Sequence, residues 1–124
     1  MPQSSDTRKT LLIIDDNDVE REGLAILLER SGFSVLRSAD GFQGLELLKS
    51  RRPDLILLDM LMPNCDGWEF LKRREPEWES IPFVIITGSD SANSSWARSL
   101  GAADFLAKPF VTEDVVARVK QACR

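Results

Sequence analysis

The sequence of 124 residues predicts an α/β fold, in which helices cover both faces of a parallel β-sheet. The first observation is that five short apolar segments alternate strictly with five segments of helical periodicity. The second is that three of the apolar segments, LLIID, LILLD and FVIIT, lack the polar alternation of a strand with one face in water. The third is the length, which suits a single domain.

The first strand–helix pair follows a polar start, and residues 1–10 are expected to form a disordered tail ahead of one domain at 11–124. LLIID at 11–15 is rich in branched side chains, which favours a strand buried on both faces. The segment DVEREGLAILLER continues as a helix that Asn17 or Asp18 is placed to cap and that Gly32 follows. Residues at helical spacing in this segment are Val19, Gly23, Ile26, Leu27 and Arg30.

The second pair has a weaker strand. FSVLRS at 33–38 is less apolar than the other segments, which favours a position nearer an edge of the sheet. Asp40 precedes a second helix, GFQGLELLKSR, and Pro53 stops it. The apolar residues on one side of this helix are Phe42, Leu45 and Leu48.

The third and fourth pairs have the most apolar strands after the first. LILLD ends at Asp59, and a loop leads to a short helix, WEFLKRR, that is broken by Pro76. FVIIT ends at Thr87, and a helix around NSSWARSL closes at Gly101. These two strands are therefore expected in a parallel sheet that is covered on both faces.

The fifth pair ends the chain. DFLA is a short strand ending at Lys108, and Thr112 is placed to cap the last helix, EDVVARVKQAC. The residues expected to face inward from this helix are Val115, Val116 and Val119.

Composition excludes several classes of function. The formal net charge of −4 and the pI of about 4.9 disfavour direct binding to nucleic acid or to an anionic membrane. No apolar run approaches the roughly 20 residues of a membrane-spanning helix. The sequence has no histidine, which excludes Ser-His-Asp and Cys-His nucleophiles, His-ligated zinc and a phosphohistidine on this chain. Cys65 and Cys123 are too few for a disulfide scaffold and are expected as reduced thiols in a cytoplasmic protein.

Polar residues stand where the predicted strands end. In an open parallel sheet, ligands bind outside the carboxyl ends of the strands, so these residues are expected to converge on one edge. They are Asp15, Asp16, Asp59, Thr87 and Lys108. A single strand-end aspartate is more often a turn former or helix cap, but this alternative weakens when separate strands deliver polar groups to one edge.

Three clustered carboxylates need a counter-charge. At about 4 Å and an effective dielectric constant near 20, each pair repels by roughly 4 kcal/mol. Mg²⁺ fits such a set because it prefers oxygen ligands, with Mn²⁺ as a substitute. Lys108 supplies a positive charge for a phosphate and Thr87 supplies a hydroxyl donor. Together they fit phosphoryl transfer to a carboxylate, with Asp59 as the single nucleophile and Asp15 and Asp16 as the paired metal-holding acids.

Four motifs carry a family resemblance. They are IDDND at 14–18, LLDMLMPNCDGWEF at 57–70, VIITG at 84–88 and GAADFLAKPF at 101–110. In their combination the chain resembles the receiver domains of two-component response regulators, including the chemotaxis type, from about residue 11 to its end. The resemblance implies a (βα)5 doubly wound, flavodoxin-like fold with strand order 2-1-3-4-5.

The resemblance also implies roles for the site residues. Asp59 matches the phosphoacceptor, Asp16 and Asp59 would hold Mg²⁺ directly, and Asp15 would act largely through water. Leu61 would add its backbone carbonyl as a metal ligand. Lys108 would pair with the phosphoryl group, and its bond to Pro109 is expected to be cis.

A switch is implied as well. Thr87 and Phe105 match the switch pair, in which the hydroxyl moves to a phosphoryl oxygen and the ring turns inward. The surface of the fourth helix, fifth strand and fifth helix would then change. Leu61 and Ser89 occupy positions that tune dephosphorylation in the family, and neither can orient water as an amide or carboxylate would. Slow self-dephosphorylation is therefore expected.

The implied partners are proteins. A sensor histidine kinase or a histidine phosphotransfer protein would donate the phosphoryl group, and acetyl phosphate could replace it. A downstream protein target or an output domain would respond, and a phosphorylation-dependent dimer through the fourth helix, fifth strand and fifth helix is a further expectation. Direct contact with nucleic acid or a membrane is not expected. The resemblance thus implies a signalling switch rather than a classical enzyme, and the sequence leaves open whether the chain is a stand-alone receiver or part of a longer regulator.

Two other interpretations compete with the switch. A magnesium phosphohydrolase with an aspartate nucleophile typically starts from an Asp-x-Asp strand end and carries a cap domain, whereas this chain has adjacent acids and no room for a cap. A receiver-shaped interaction module that no longer uses phosphate typically lacks an acidic residue, the acceptor or the lysine. All of them are present here.

Overall fold

The computed structural model describes residues 8–62, 64–88 and 93–123, and residues 1–7 of the expected tail lie outside this part. The strands are β1 (Thr10–Ile14), β2 (Ser34–Ser38), β3 (Leu55–Asp59), β4 (Phe83–Thr87) and β5 (Asp104–Ala107). The α-helices are α1 (Asp18–Arg30), α2 (Gly41–Leu48), α3 (Gly67–Arg73), α4 (Ser94–Ser99) and α5 (Thr112–Ala122), with a 3₁₀ turn at Pro76–Trp78. β1 thus begins at Thr10, one residue before the expected start of the domain.

The five strands form one parallel sheet in the order β2-β1-β3-β4-β5, which confirms the predicted fold class and strand order. The weak strand β2 lies at one edge, as its composition indicates, and β3 and β4 are buried along their whole length. In register, Ile14 lies beside Leu58 and Leu58 beside Ile85. The carboxyl ends of β1, β3 and β4 are therefore level with one another.

The sheet separates two hydrophobic clusters, because successive strand residues point to opposite faces. On one face, Leu12, Ile14 and Leu58 pack with residues of α2, α3 and α4. On the other, Leu11, Ile13 and Leu57 pack with residues of α1 and α5. Both faces of the central strands are thereby covered, which explains why their sequences are apolar without alternation.

Helix α1 is present as predicted, but it buries a different face from the one its spacing indicated. Its buried residues are Leu24, Ala25 and Leu28, whereas Val19 is 85% exposed and Ile26 is 45% exposed. Several faces of this helix carry apolar residues, so periodicity alone could not select the face that packs on the sheet. Of the two candidate caps, the structure selects Asn17, whose Oδ1 accepts the Glu20 amide at 2.9 Å.

Helix α2 also packs through a different set of residues from the one that the sequence predicted. Asp40 caps it, since its Oδ1 accepts the amide of Gln43 at 2.9 Å, but the helix ends at Leu48, and Phe42 is half exposed rather than packed beside that leucine. Glycines make the close contact instead, because a Cβ on Gly44 would lie 2.6 Å from Cδ1 of Ile14. The core face of α2 is therefore set by its small residues, which a count of bulky apolar residues does not reveal.

Helix α5 begins one residue earlier than predicted. Val111 is its N-cap, with no side-chain hydrogen bond, and Thr112 is the first helical residue rather than the cap. Val115 and Val119 are buried as expected, and Val116 is half-buried. Within the described ranges, no helix is long and apolar enough to cross a membrane.

Candidate phosphoryl-transfer site

The acidic pair follows directly from the end of β1. The backbone amide of Asp15 donates to the carbonyl of Ser38 at 3.1 Å, which extends the pairing with β2 by one residue. The carboxylate of Asp15 is buried, and its Oδ1 accepts the amide of Asn17 at 2.9 Å. The guanidinium of Arg21 donates to the carbonyl of Asp15 at 2.9 Å and ties α1 to this turn. Asp16, in contrast, is exposed.

Asp59 is the last residue of β3, and its carboxylate is buried. Oδ1 accepts the backbone amide of Leu61 at 3.0 Å, and Oδ2 accepts Nζ of Lys108 at 3.0 Å. The Leu61 side chain is 58% exposed. Each oxygen of the Asp59 carboxylate thus accepts a hydrogen bond from a different donor.

The structure brings the three predicted acids together. One carboxylate oxygen from each of Asp15, Asp16 and Asp59 lies within 4.8 Å of the others. Oδ2 of Asp15 is buried without a hydrogen-bond partner in the described part of the chain, although the ammonium of Lys108 lies 3.6 Å away. A buried carboxylate oxygen that lacks a donor, beside two further carboxylates, is a donor set suited to a hard divalent cation.

Lys108 is the cation among these acids, and its side chain is largely buried. Nζ donates to Asp59 at 3.0 Å and to Oε2 of Glu20, in the first turn of α1, at 2.9 Å. The sequence patterns did not identify Glu20. Its position in the helical turn directly after Asp15 and Asp16 is the signal that could have done so, because that turn lies at the same edge of the sheet.

Burial and neighbouring charges shift two of these groups. Burial raises the pKa of Asp15 to about 6, against the opposing effects of the Asn17 amide and Lys108, and Glu20 and Asp59 raise it further. Burial lowers the pKa of Lys108, but hydrogen bonds to Glu20 and Asp59 outweigh it, so the net shift is upward. Lys108 therefore stays protonated, whereas the ionisation of Asp15 costs more free energy in the folded protein than in water.

The predicted switch residues lie on the two neighbouring strands. Thr87 ends β4 and is buried, and its carbonyl accepts the amide of Lys108 at 2.9 Å. Phe105 lies in β5 and packs against the cluster on the α2–α4 face. The Lys108–Pro109 peptide is cis, as expected.

A chain of aromatic contacts extends from the ring of Phe105. The ring of Trp96 in α4 meets Phe105 edge-on with centroids 6.4 Å apart, and Trp68 meets Trp96 edge-on at 5.4 Å. Trp68 is 40% exposed. Phe105 is therefore connected to the surface of α3 through one partly buried tryptophan.

Comparison with known proteins agrees with this geometry. A family model described as the response regulator receiver domain matches residues 11–120. Response regulator MprA of Mycolicibacterium vanbaalenii is 36% identical over 115 residues, which are 92% of this chain and 50% of that protein. The chain thus spans about half the length of the curated relatives it matches.

Two solved structures are similar over most of the chain. Chemotaxis protein CheY4 of Vibrio cholerae has a TM-score of 0.83 at 27% identity, with 93% of this chain and 98% of that chain covered. The signal receiver domain of a histidine kinase from Syntrophus aciditrophicus has a TM-score of 0.82 at 30% identity, with 93% and 89% covered. The strand order, the acidic strand ends and the family match agree, and the chain belongs to the response regulator receiver domains of two-component systems.

Proposed function

We propose that the chain is a phosphorylation-controlled switch that accepts a phosphoryl group on Asp59. The observation that carries this proposal is the placement of the buried Asp59 carboxylate between two other carboxylates and the Lys108 ammonium. Family membership supports the same assignment, since receiver domains are signalling domains.

In the proposed reaction, a carboxylate oxygen of Asp59 attacks the phosphorus of a phosphohistidine. The new O–P bond forms as the P–N bond breaks, and the electron pair of the broken bond stays on the imidazole nitrogen of the donor, which can then take a proton from water. Asp59 becomes an acyl phosphate. Lys108 would pair with the phosphoryl oxygens, and the Thr87 hydroxyl would donate to one of them, so that charge developing on the transferred group is stabilised.

Magnesium fits the acidic residues. Asp16 and Asp59 would hold Mg²⁺ through their side chains, Asp15 through water and Leu61 through its backbone carbonyl, with Mn²⁺ as a substitute. The buried Oδ2 of Asp15, which accepts no hydrogen bond from the described residues, supports the presence of a cation. The ion would supply positive charge next to the transferring phosphoryl group.

The switch would act through Thr87 and Phe105. Movement of the hydroxyl toward the phosphoryl group would vacate space into which the ring of Phe105 turns. That ring contacts Trp96, so α4, β5 and α5 form the surface expected to change. A local change of charge would thereby bias a two-state element.

The proposed partners follow from the chemistry. A sensor histidine kinase or a histidine phosphotransfer protein would supply the phosphohistidine that this chain lacks, since it contains no histidine. A downstream protein target, an output domain or a second copy docked through α4, β5 and α5 would respond. The phosphorylatable unit would be residues 11–124 together with Thr10, the first residue of β1.

Incubation with Mg²⁺ and acetyl phosphate tests the proposal. Intact mass spectrometry should show a gain of one phosphoryl group in the wild type and none in Asp59→Asn. Asp18→Asn, an exposed acid at the start of α1, should behave like the wild type. Rapid turnover of acetyl phosphate without a lasting adduct would favour a phosphohydrolase, and no reaction would favour an interaction module. Either result would overturn the switch.

A further inference from the structure

Glu20 shares the ammonium of Lys108 with the acceptor carboxylate. Its Oε2 lies 2.9 Å from Nζ, and Oδ2 of Asp59 lies 3.0 Å from the same atom. The backbone of Glu20 is fixed by the cap of α1, since its amide donates to Oδ1 of Asn17 at 2.9 Å. The Glu20 side chain is 26% exposed, so this carboxylate lies at the mouth of the site.

Glu20 adds a fourth negative charge to a site that must accept an anion. The carboxylates of Asp15, Asp59 and Glu20 all lie within 3.6 Å of Nζ of Lys108. An ammonium has three N–H donors, and here Glu20 and Asp59 each take one. A phosphoryl group on Asp59 would therefore meet a lysine that is already paired, next to a carboxylate that repels it.

We propose that Glu20 is a positioning residue that holds Lys108 in the unphosphorylated state and opposes phosphorylation. This proposal rests on the proposed function of Asp59. Before phosphorylation, the pair of Glu20 and Lys108 keeps the ammonium at the mouth of the site. After phosphorylation, the phosphoryl oxygens compete with Glu20 for the ammonium of Lys108. The Glu20 carboxylate therefore weakens the attraction between Lys108 and the phosphoryl group.

Beryllofluoride, an anionic phosphoryl mimic, measures this competition directly. The titration would follow amide cross-peaks of the Mg²⁺-loaded protein by NMR for the wild type, Glu20→Gln and Glu22→Gln. Glu22→Gln is a matched control, because it removes the same charge from the same helix. Glu22 pairs with Arg37 at 2.9 Å instead of with Lys108. Removing Glu20 should lower the half-saturating concentration by about threefold to tenfold, and Glu22→Gln should change it by less than about twofold.

Ionic strength separates competition from a structural role. The difference between the wild type and Glu20→Gln should shrink as salt is added, because Glu20 is partly exposed and its repulsion is screened. The rate of phosphorylation by acetyl phosphate should rise in Glu20→Gln in the same direction. A general loss of packing would instead weaken beryllofluoride binding at every salt concentration.

The wild-type titration separates the two proposals. A wild type that neither binds beryllofluoride nor takes up a phosphoryl group would overturn the function assigned to Asp59. A wild type that responds, together with a Glu20→Gln variant that binds beryllofluoride no more tightly, would overturn only the role of Glu20.

Discussion

Two donors divide the carboxylate of Asp59 between them. The amide of Leu61 holds Oδ1, and Lys108 holds Oδ2. Leu61 thus contacts Asp59, the proposed phosphoacceptor, through its backbone, while its side chain is 58% exposed. Because the Leu61 side chain does not pack in the core, a substitution there can change the access of water to Asp59 without changing the fold.

Leu61→Asn should shorten the lifetime of the proposed acyl phosphate. An amide beside the acceptor can orient an attacking water, and one net hydrogen bond to the transition state corresponds to roughly tenfold in rate. Decay of the phosphorylated mass after removal of acetyl phosphate measures the effect. Leu61→Met, which keeps an apolar side chain, is the control and should decay like the wild type.

The wild type itself should dephosphorylate more slowly than a fast chemotaxis receiver measured alongside it. Ser89, the other residue on which this expectation rests, lies outside the described part of the chain. If the acyl phosphate of Leu61→Asn decayed no faster than that of the wild type, the side chain at position 61 would not control the attack of water on the phosphorylated Asp59.

At the scale of the element, two helical glycines have opposite surroundings. Gly67 begins α3 directly beside the end of β3, where an added Cβ would lie 2.7 Å from Cα of Met60. Gly23 lies within α1, and an added Cβ there would meet nothing within 4 Å. The first glycine permits the close approach of a helix to a strand, whereas the second only adds freedom to the unfolded chain.

Gly67→Ala should lower the free energy of unfolding by about 1–3 kcal/mol, because the backbone of Asp59 and Met60 cannot move aside as a flexible side chain could. Gly23→Ala is the matched control and should raise it by about 0.5–1 kcal/mol through helix propensity. Urea denaturation of both variants measures the difference. Equal effects at the two positions would contradict the importance of the contact with Met60.

The elements that the sequence predicts well are those whose burial leaves a simple pattern. β3 and β4 are covered on both faces, so an uninterrupted apolar run was enough to place them. The core face of α1 was not predictable in this way, since exposed Val19 and Ile26 are as apolar as buried Leu24. The close packing of Gly44 in α2 against Ile14 was not predictable either, because a glycine adds no apolar side chain to the helical pattern.

The same distinction applies to the site. The meeting of Asp15, Asp16, Asp59 and Lys108 could be predicted, because parallel topology brings strand ends to one edge. The pair of Glu20 and Lys108 joins residues 88 positions apart, and one of them lies within a helix rather than at a strand end. An acidic residue in the first turn of a helix ordinarily interacts with the helix dipole, so the position of Glu20 next to the strand ends was a weak signal that did not identify Lys108 as its partner.

At the scale of the whole molecule, the buried charge of Asp15 lowers the stability of the folded protein, although the same charge would favour the proposed cation. Burial raises the pKa of Asp15 from 3.8 to about 6, with Lys108 lowering it and with Glu20 and Asp59 raising it further. The folded state therefore binds this proton more tightly than the unfolded state does. The resulting stabilisation is fully present below about pH 3.8 and is lost as the pH rises through about 6.

Asp15→Asn should stabilise the metal-free protein at neutral pH, because it removes a carboxylate that is buried in its ionised form. The gain should be at most about 3 kcal/mol above about pH 7 and should vanish toward about pH 4, since one pKa unit corresponds to about 1.4 kcal/mol. Urea denaturation in EDTA across this pH range measures it, with Asp18→Asn as the control for the loss of one negative charge. Added Mg²⁺ should reverse the order, because a cation bound only by the folded state stabilises the wild type more than the variant. A variant that is less stable than the wild type in EDTA at neutral pH would show that the pairing of Asp15 with Lys108 outweighs the burial of its charge.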